Sequence, residues 1–236
     1  MKRLATGTRA LGSRLVGMLV GLAVLALCAT AVVAADPGAP DQSQAISPPN
    51  IAFAPRNVTY VAQTYTAGLS GTLDQVDLLL SRLDPLDRNL IVQIQATVAG
   101  LPSGVVLDTA HVTPAQVPVS NFPDLSVVPV PLPGSQSVAG TQYAIVVSDP
   151  TAAPFGGSQY LWGGSSGNPY AGGDALLSFD GGVTWLNEST LDMGFKTYVT
   201  VLPTSQEQCK NDGWRSFSQF KNQGDCVSFV TTGARN

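Results

Sequence analysis

His111 is the only histidine among 236 residues, so any catalytic imidazole has to be that one. A Ser/His/Asp or Cys/His system needs it beside an activated nucleophile, yet no G-x-S-x-G elbow occurs, and a histidine-rich zinc site cannot be assembled within one chain. Its place near a strand end suits a surface or half-buried role. Paired carboxylates would suit glycoside hydrolysis if they faced each other across a cleft. The candidates are Asp74 with Asp77 and Asp84 with Asp87, while Glu188 and Glu207 are the only glutamates. A spacing of three on a strand sends Asp74 and Asp77 to opposite faces, and Asp84-Pro85-Leu86-Asp87 reads as a solvated loop. Loop carboxylates with neighbouring carbonyls could hold a structural calcium, although no D-x-D-x-D-G loop is present. No other cofactor is expected.

Glycines crowd the run from Gly156 to Tyr170, but it lacks the terminal Lys-Ser or Lys-Thr of a phosphate-binding loop. Its aromatic residues are more informative. Tyr160, Trp162, Tyr170 and Trp185 could offer flat faces to sugar rings, with Asn168 and Asp174 as hydrogen-bonding partners; the alternative is that the rings fill a core and brace long turns. Downstream, Ser178-Phe179-Asp180-Gly181-Gly182-Val183-Thr184-Trp185 matches the Asp-box pattern S-x-D-x-G-x-T-W found in sialidase propellers. Ser178 and Asp180 can satisfy backbone groups in a hairpin turn, Gly182 permits it and Trp185 packs beneath it, with Thr184 completing the box. The box occurs once, the chain is too short for a six-bladed propeller, and arginines for a carboxylate-binding cluster are few. It is read as a structural turn.

These residues work outside the cytoplasm if the first 35 residues are an export signal. Lys2, Arg3, Arg9 and Arg14 precede an apolar core from Leu15 to Leu27, and Val32-Val33-Ala34-Ala35 supplies small residues for cleavage. The apolar core is shorter than the roughly 20 residues a spanning helix needs, so no transmembrane segment is expected in the mature chain. Leu27 before Cys28 argues against a lipid anchor. Leu202-Pro203-Thr204-Ser205 lacks the glycine and the apolar tail of a wall-sorting signal. With the leader removed, eight basic residues face sixteen acidic ones, a net charge of −8. That balance disfavours nucleic acid and anionic membranes. Cys209 and Cys226 remain, an even number in an oxidising compartment, and are expected to form a disulfide closing a loop of about 18 residues.

Positioning falls to strands. Low charge with abundant Gly, Pro, Thr, Ser and Val favours an all-β domain. Asp36 to Arg56 lacks periodicity and reads as a flexible linker. From Asn57 to Pro203 short alternating runs are separated by turn residues, the pattern of an antiparallel sandwich. The clearest is Leu90 to Val98, with Val92, Ile94, Ala96 and Val98 on one face and Gln93, Gln95 and Thr97 on the other. Val58 to Gln63, Tyr143 to Val147 and Phe195 to Val201 behave similarly. Further strands are predicted near Thr72 to Leu80, Val105 to Val112, Ser126 to Leu132, Gln159 to Trp162 and Ala175 to Phe179. The total is nine or ten strands, with no helix longer than two turns. Gly100 to Gly104 and Asp180-Gly181-Gly182 separate strands, and Pro129, Pro131 and Pro133 confine their run to a sheet edge or an extended connection. Beyond Pro203, Thr204 and Glu207 have capping-box spacing, and residues 204–236 form a small disulfide-closed segment.

Several runs resemble a known family when taken in order: Gln63 to Gly68, Leu73 to Leu78, Ala99 to Gly104, Tyr143 to Val146 and Trp162 to Trp185. They are similar to secreted bacterial β-sandwich modules described as jelly-roll, carbohydrate-binding-like or choice-of-anchor domains. Cys209 to Trp214 followed by Phe220 to Val227 resembles a C-terminal element of exported actinobacterial hypothetical proteins. The resemblance implies an all-β, jelly-roll-like antiparallel β-sandwich in an exported protein and supplies no common catalytic set. The expectation is a secreted, non-catalytic module that acts by binding or by cell-surface association, with carbohydrate, as an extracellular glycan or a cell-envelope component, as the candidate partner. The alternatives are a polysaccharide-acting glycoside hydrolase and a purely structural envelope protein.

Overall fold

The computed structural model describes residues 38–44, 48–153, 157–217 and 219–232; the leader expected over Met1–Ala35 lies outside them. Among these residues thirteen strands run in chain order. The first seven are β1 (Ala39–Gln44), β2 (Ile51–Phe53), β3 (Tyr60–Thr66), β4 (Gly71–Leu83), β5 (Leu90–Val98), β6 (Leu101–Val112) and β7 (Ser126–Ser137). Then come β8 (Gln142–Ser148), β9 (Gln159–Ser166), β10 (Ala175–Ser178), β11 (Leu186–Glu188), β12 (Leu191–Met193) and β13 (Phe195–Val201). They form two antiparallel sheets. One has seven strands, in the order β1-β13-β4-β9-β12 with β2 on β9 and β7 on β4. The other has six, in the order β11-β10-β3-β8-β5-β6. Val61, Tyr65, Ile94 and Ile145 of the six-stranded sheet share one core with Val76, Leu78, Trp162 and Phe195 of the seven-stranded sheet, which makes the pair a sandwich.

β5 shows how alternation builds this core. Leu90, Val92 and Ile94 are buried, whereas Ile91 and Gln93 between them are only half-buried. Past Ile94 the pairing with β6 shifts register twice, and by Val98 the strand has left the core, that side chain being 68 % exposed. β7 shows how an edge is made. Val128 and Val130 enter the core while Pro129 and Pro131 lie exposed, and among the described residues β7 pairs with β4 alone. Backbone groups of alternate residues point to the same side of a strand, so the missing proline N–H groups fall on the unpaired side.

Four sequence expectations are corrected. The stretch read as a linker over residues 36–56 carries two sheet strands, β1 on β13 and β2 on β9. Its polar side chains misled because β1 is an edge strand tied by polar contacts: Gln42 N donates to Thr197 Oγ1 at 2.9 Å, and Asp41 accepts from Gly68 N. The described residues hold thirteen strands, a number raised by short strands of three residues at β2, β11 and β12. The turn expected over Gly100 to Gly104 is confined to Ala99 and Gly100, both left-handed (φ 51° and 81°), and β6 begins at Leu101. Finally, helix α1 (Gln223–Thr232) has ten residues, about 2.8 turns.

That helix belongs to the C-terminal unit. Cys209 and Cys226 are joined, with Cα atoms 5.7 Å apart. Both are fully buried beside Phe217 and Phe220, with Trp214, Phe229 and Val230 packed around them. Before the first cysteine, Gln208 Oε1 accepts from the backbone N–H of Thr204 and Ser205 at 2.7 and 3.1 Å. The cap therefore uses Ser205 and Gln208, one residue on from the predicted Thr204 and Glu207, and Glu207 instead pairs with Lys210 at 2.7 Å.

Candidate ligand-binding site

Tyr160 and Trp162 are core residues and correct the expectation of a sugar-facing pair. Both are 0 % exposed, since alternate positions on β9 point between the sheets. Their polar atoms are satisfied inside: Tyr160 Oη donates to the Arg88 carbonyl at 2.7 Å and Trp162 Nε1 to the Gly194 carbonyl at 2.8 Å. Tyr170, at 9 % exposed, packs edge-on against Phe195 with centroids 5.1 Å apart and donates to Gln42 Oε1 at 2.9 Å. Burial pushes the phenols of Tyr160 and Tyr170 up to about 12. Asn168 is exposed in a left-handed conformation. Asp174 is half-buried, its backbone bonded to Thr64 and its carboxylate accepting from Asn187 Nδ2 at 3.0 Å. These five residues do not converge on an exposed aromatic surface.

The Asp-box residues make a turn between β10 and β11 that is held mainly by bonds among themselves, with Gly181 N also donating to the Val58 carbonyl at 2.8 Å. Asp180 Oδ1 accepts from Ser178 Oγ at 2.8 Å, Val183 N at 3.1 Å and Thr184 N at 2.9 Å, while Oδ2 accepts from Thr184 Oγ1 at 2.6 Å. Those donors hold the carboxyl down at about 2, the Thr184 hydroxyl foremost. Gly181 and Gly182 take positive φ, and Gly182 N donates to Ser178 Oγ at 2.8 Å. Trp185 lies against the outer face of the six-stranded sheet, near Ala62 and Leu176.

The remaining titratable candidates stay apart. His111 is exposed on β6, and Asp84 and Asp87 are exposed in their loop. Asp74 occupies a bulge where β4 carries one residue more than β13. Among the described residues, no three His, Cys, Asp or Glu side chains group as a metal site would require.

A concavity opens elsewhere, on the outer face of the seven-stranded sheet. It encloses about 280 Å³ and is bounded by Ser43 of β1, Asp77 and Leu79 of β4, Val127 of β7, Lys196 of β13 and the glycine before it, Gly194. Register explains its composition. Val76 and Leu78 point into the core, so Gln75 and Asp77 point out, and the same alternation on β13 turns Lys196 and Tyr198 outward. Cross-strand pairing sets Asp77 opposite Lys196 and Gln75 opposite Tyr198, and Leu79 opposite Val127. Val127 is 66 % exposed and forms an apolar wall. Gly194 leaves the floor open, and its carbonyl anchors Trp162 from below.

The two charged side chains of the lining, Asp77 and Lys196, are held by Gln75 and Tyr198, which flank the cavity. Asp77 Oδ1 accepts from Gln75 Nε2 and Oδ2 from Tyr198 Oη, each at 2.7 Å. Lys196 Nζ lies 4.8 Å from the Tyr198 ring centroid, a cation–π distance. Burial and the bond to Asp77 raise the Tyr198 phenol above its ordinary value, so it stays a neutral donor to the carboxylate. Apolar walls with a few oriented polar groups are the usual make-up of a small-ligand site. Sequence reasoning weighed Asp77 only as a partner of Asp74 and passed over Gln75, Lys196 and Tyr198. The available signal was outward alternation on two predicted strands, but nothing local says that those strands are neighbours. A scan against protein-family models finds no match, and neither does a comparison with curated proteins.

Proposed function

We propose that this chain is an exported, non-catalytic β-sandwich module that binds carbohydrate, a free extracellular glycan or one of the cell envelope, in the groove of the seven-stranded sheet. The observation that carries the reading is the groove itself: an apolar wall of Leu79 and Val127 opposite an ordered set of polar side chains. Sugars present an apolar C–H face and a hydroxyl rim, and such a site matches both. Asp77 is the carboxylate of the groove, already accepting two hydrogen bonds, whereas glycosidases ordinarily flank the scissile bond with two. This favours binding over hydrolysis. The disulfide and the leader-like first 35 residues support export.

A glycan array probed with the purified protein tests the reading, alongside Val127→Arg, which fills the groove from an exposed position. Wild type is expected to retain a defined set of glycans, with calcium or with chelator, and the variant to lose them at an unchanged melting temperature. Failure of wild type to bind any glycan, or undiminished binding by Val127→Arg, overturns the proposal.

A further inference from the structure

Asp77 and Lys196 stand directly opposite each other on adjacent strands, the arrangement in which unlike charges ordinarily join across a ladder. They do not join. The ion pairs among the described residues are Arg88 with Asp149, Lys210 with Glu207 and Arg215 with Asp212. Tyr198 stands between the two charges instead, donating to the carboxylate through its hydroxyl and taking the ammonium against its ring. A carboxylate has about four acceptor sites and an ammonium three donors, so each group keeps capacity for a ligand. The groove thus offers an acceptor and a donor side by side with no net charge.

We infer that the groove selects a neutral, hydroxyl-rich sugar ring against both acidic and amino sugars, with Asp77 and Lys196 as the discriminating residues. This rests on the reading of the groove as a glycan site. A hydroxyl both donates and accepts, so adjacent hydroxyls of a neutral sugar serve both groups at once. A uronate would pair with Lys196 but set its charge against Asp77 and against a net negative chain. An amino sugar would pair with Asp77 and meet Lys196. The apolar face of the ring lies on Leu79 and Val127. A volume of about 280 Å³ sits near the lower end of small-ligand sites, roughly 300 to 1,000 Å³, which suits a short segment of glycan.

Titration of the protein with matched neutral, uronate-containing and amino-sugar-containing oligosaccharides decides the matter. Wild type is expected to bind the neutral set at least about tenfold more tightly than either charged set. Asp77→Asn should narrow the gap for uronates and Lys196→Met the gap for amino sugars, each weakening neutral binding about tenfold. Melting temperatures check the folds, and Lys196→Met alone decides if the Asp77 variant is unstable. Equal or tighter binding of a charged set by wild type, or a neutral preference that both variants keep, overturns the inference. Silence toward all three sets overturns the glycan reading itself, whereas Val127→Arg-sensitive binding with a charged preference overturns only the selectivity.

Discussion

The sandwich encloses Trp162, Tyr65, Tyr160 and a continuous body of Leu, Ile and Val between two sheets. The unit that follows it encloses two cysteines and two phenylalanines, with Trp214, Val227, Phe229 and Val230 only partly covered. The first has apolar burial enough to hold its strands in register. The second is too small to offset its chain entropy in that way and relies on a covalent crosslink. Stability in the sandwich is therefore a collective property, and in the C-terminal unit it hangs on one bond.

The sharpest way to break this contrast is to remove the largest core side chain. Trp162→Ala should lower sandwich stability by about 3 to 5 kcal/mol, read as a large shift in the denaturant midpoint, while the Cys209–Cys226 bond stays formed. An unchanged midpoint would mean that the ring is not core. Replacing both Cys209 and Cys226 by alanine should cost roughly 3 kcal/mol in the chain-entropy model, but locally. Hydrogen exchange should quicken through α1 and leave β4, β5 and β8 protected; loss of protection throughout would show that the two regions unfold together.

A subtler contrast concerns buried polar groups. Asp192 is wholly buried and accepts from Gln63 Nε2 at 3.0 Å and Tyr170 N at 2.8 Å. Burial outweighs these bonds and holds its carboxyl above the ordinary value of 3.8. The folded state then binds the proton more tightly than the unfolded chain, so Asp192 favours folding in acid and that contribution is lost as pH rises from about 3.8 through the raised value. Unfolding measured across mildly acidic to neutral pH should show this slope in wild type and a flatter one in Asp192→Asn. Identical slopes would remove Asp192 from the account. The smallest effect is expected at the exposed turn. Asp180→Ala should speed exchange of the Val183 and Thr184 amides while barely moving the melting temperature.

Legibility of the sequence followed the same division between local and distant causes. β5 spans Leu90–Val98, the run read from alternation, because period-two burial is written residue by residue. The disulfide was legible from cysteine number. The aromatic run on β9 was not assignable, since Tyr160 and Trp162 have the same types and spacing whether they face a ligand or a core. β1 was hidden for the opposite reason: an edge strand held by Gln42 and Asp41 has no apolar period to read. The groove needed the adjacency of β4 and β13, more than a hundred residues apart as the Tyr198–Asp77 bond shows, and only the assembled sheet supplies that.

The pairing of β1 with β13 also orders events in time. A chain emerging N-terminus first presents β1 at the outset and its partner last, and the Gln42–Thr197 bond joins positions 155 residues apart. Until that final strand arrives, β1 has no edge to dock on, and one rim of the seven-stranded sheet stays open. Such long-range closure comes late and slowly in folding. A premature stop before Phe195 would remove β13 and leave both β1 and the facing edge of β4 without their partner, exposed to proteolysis and to pairing with other chains.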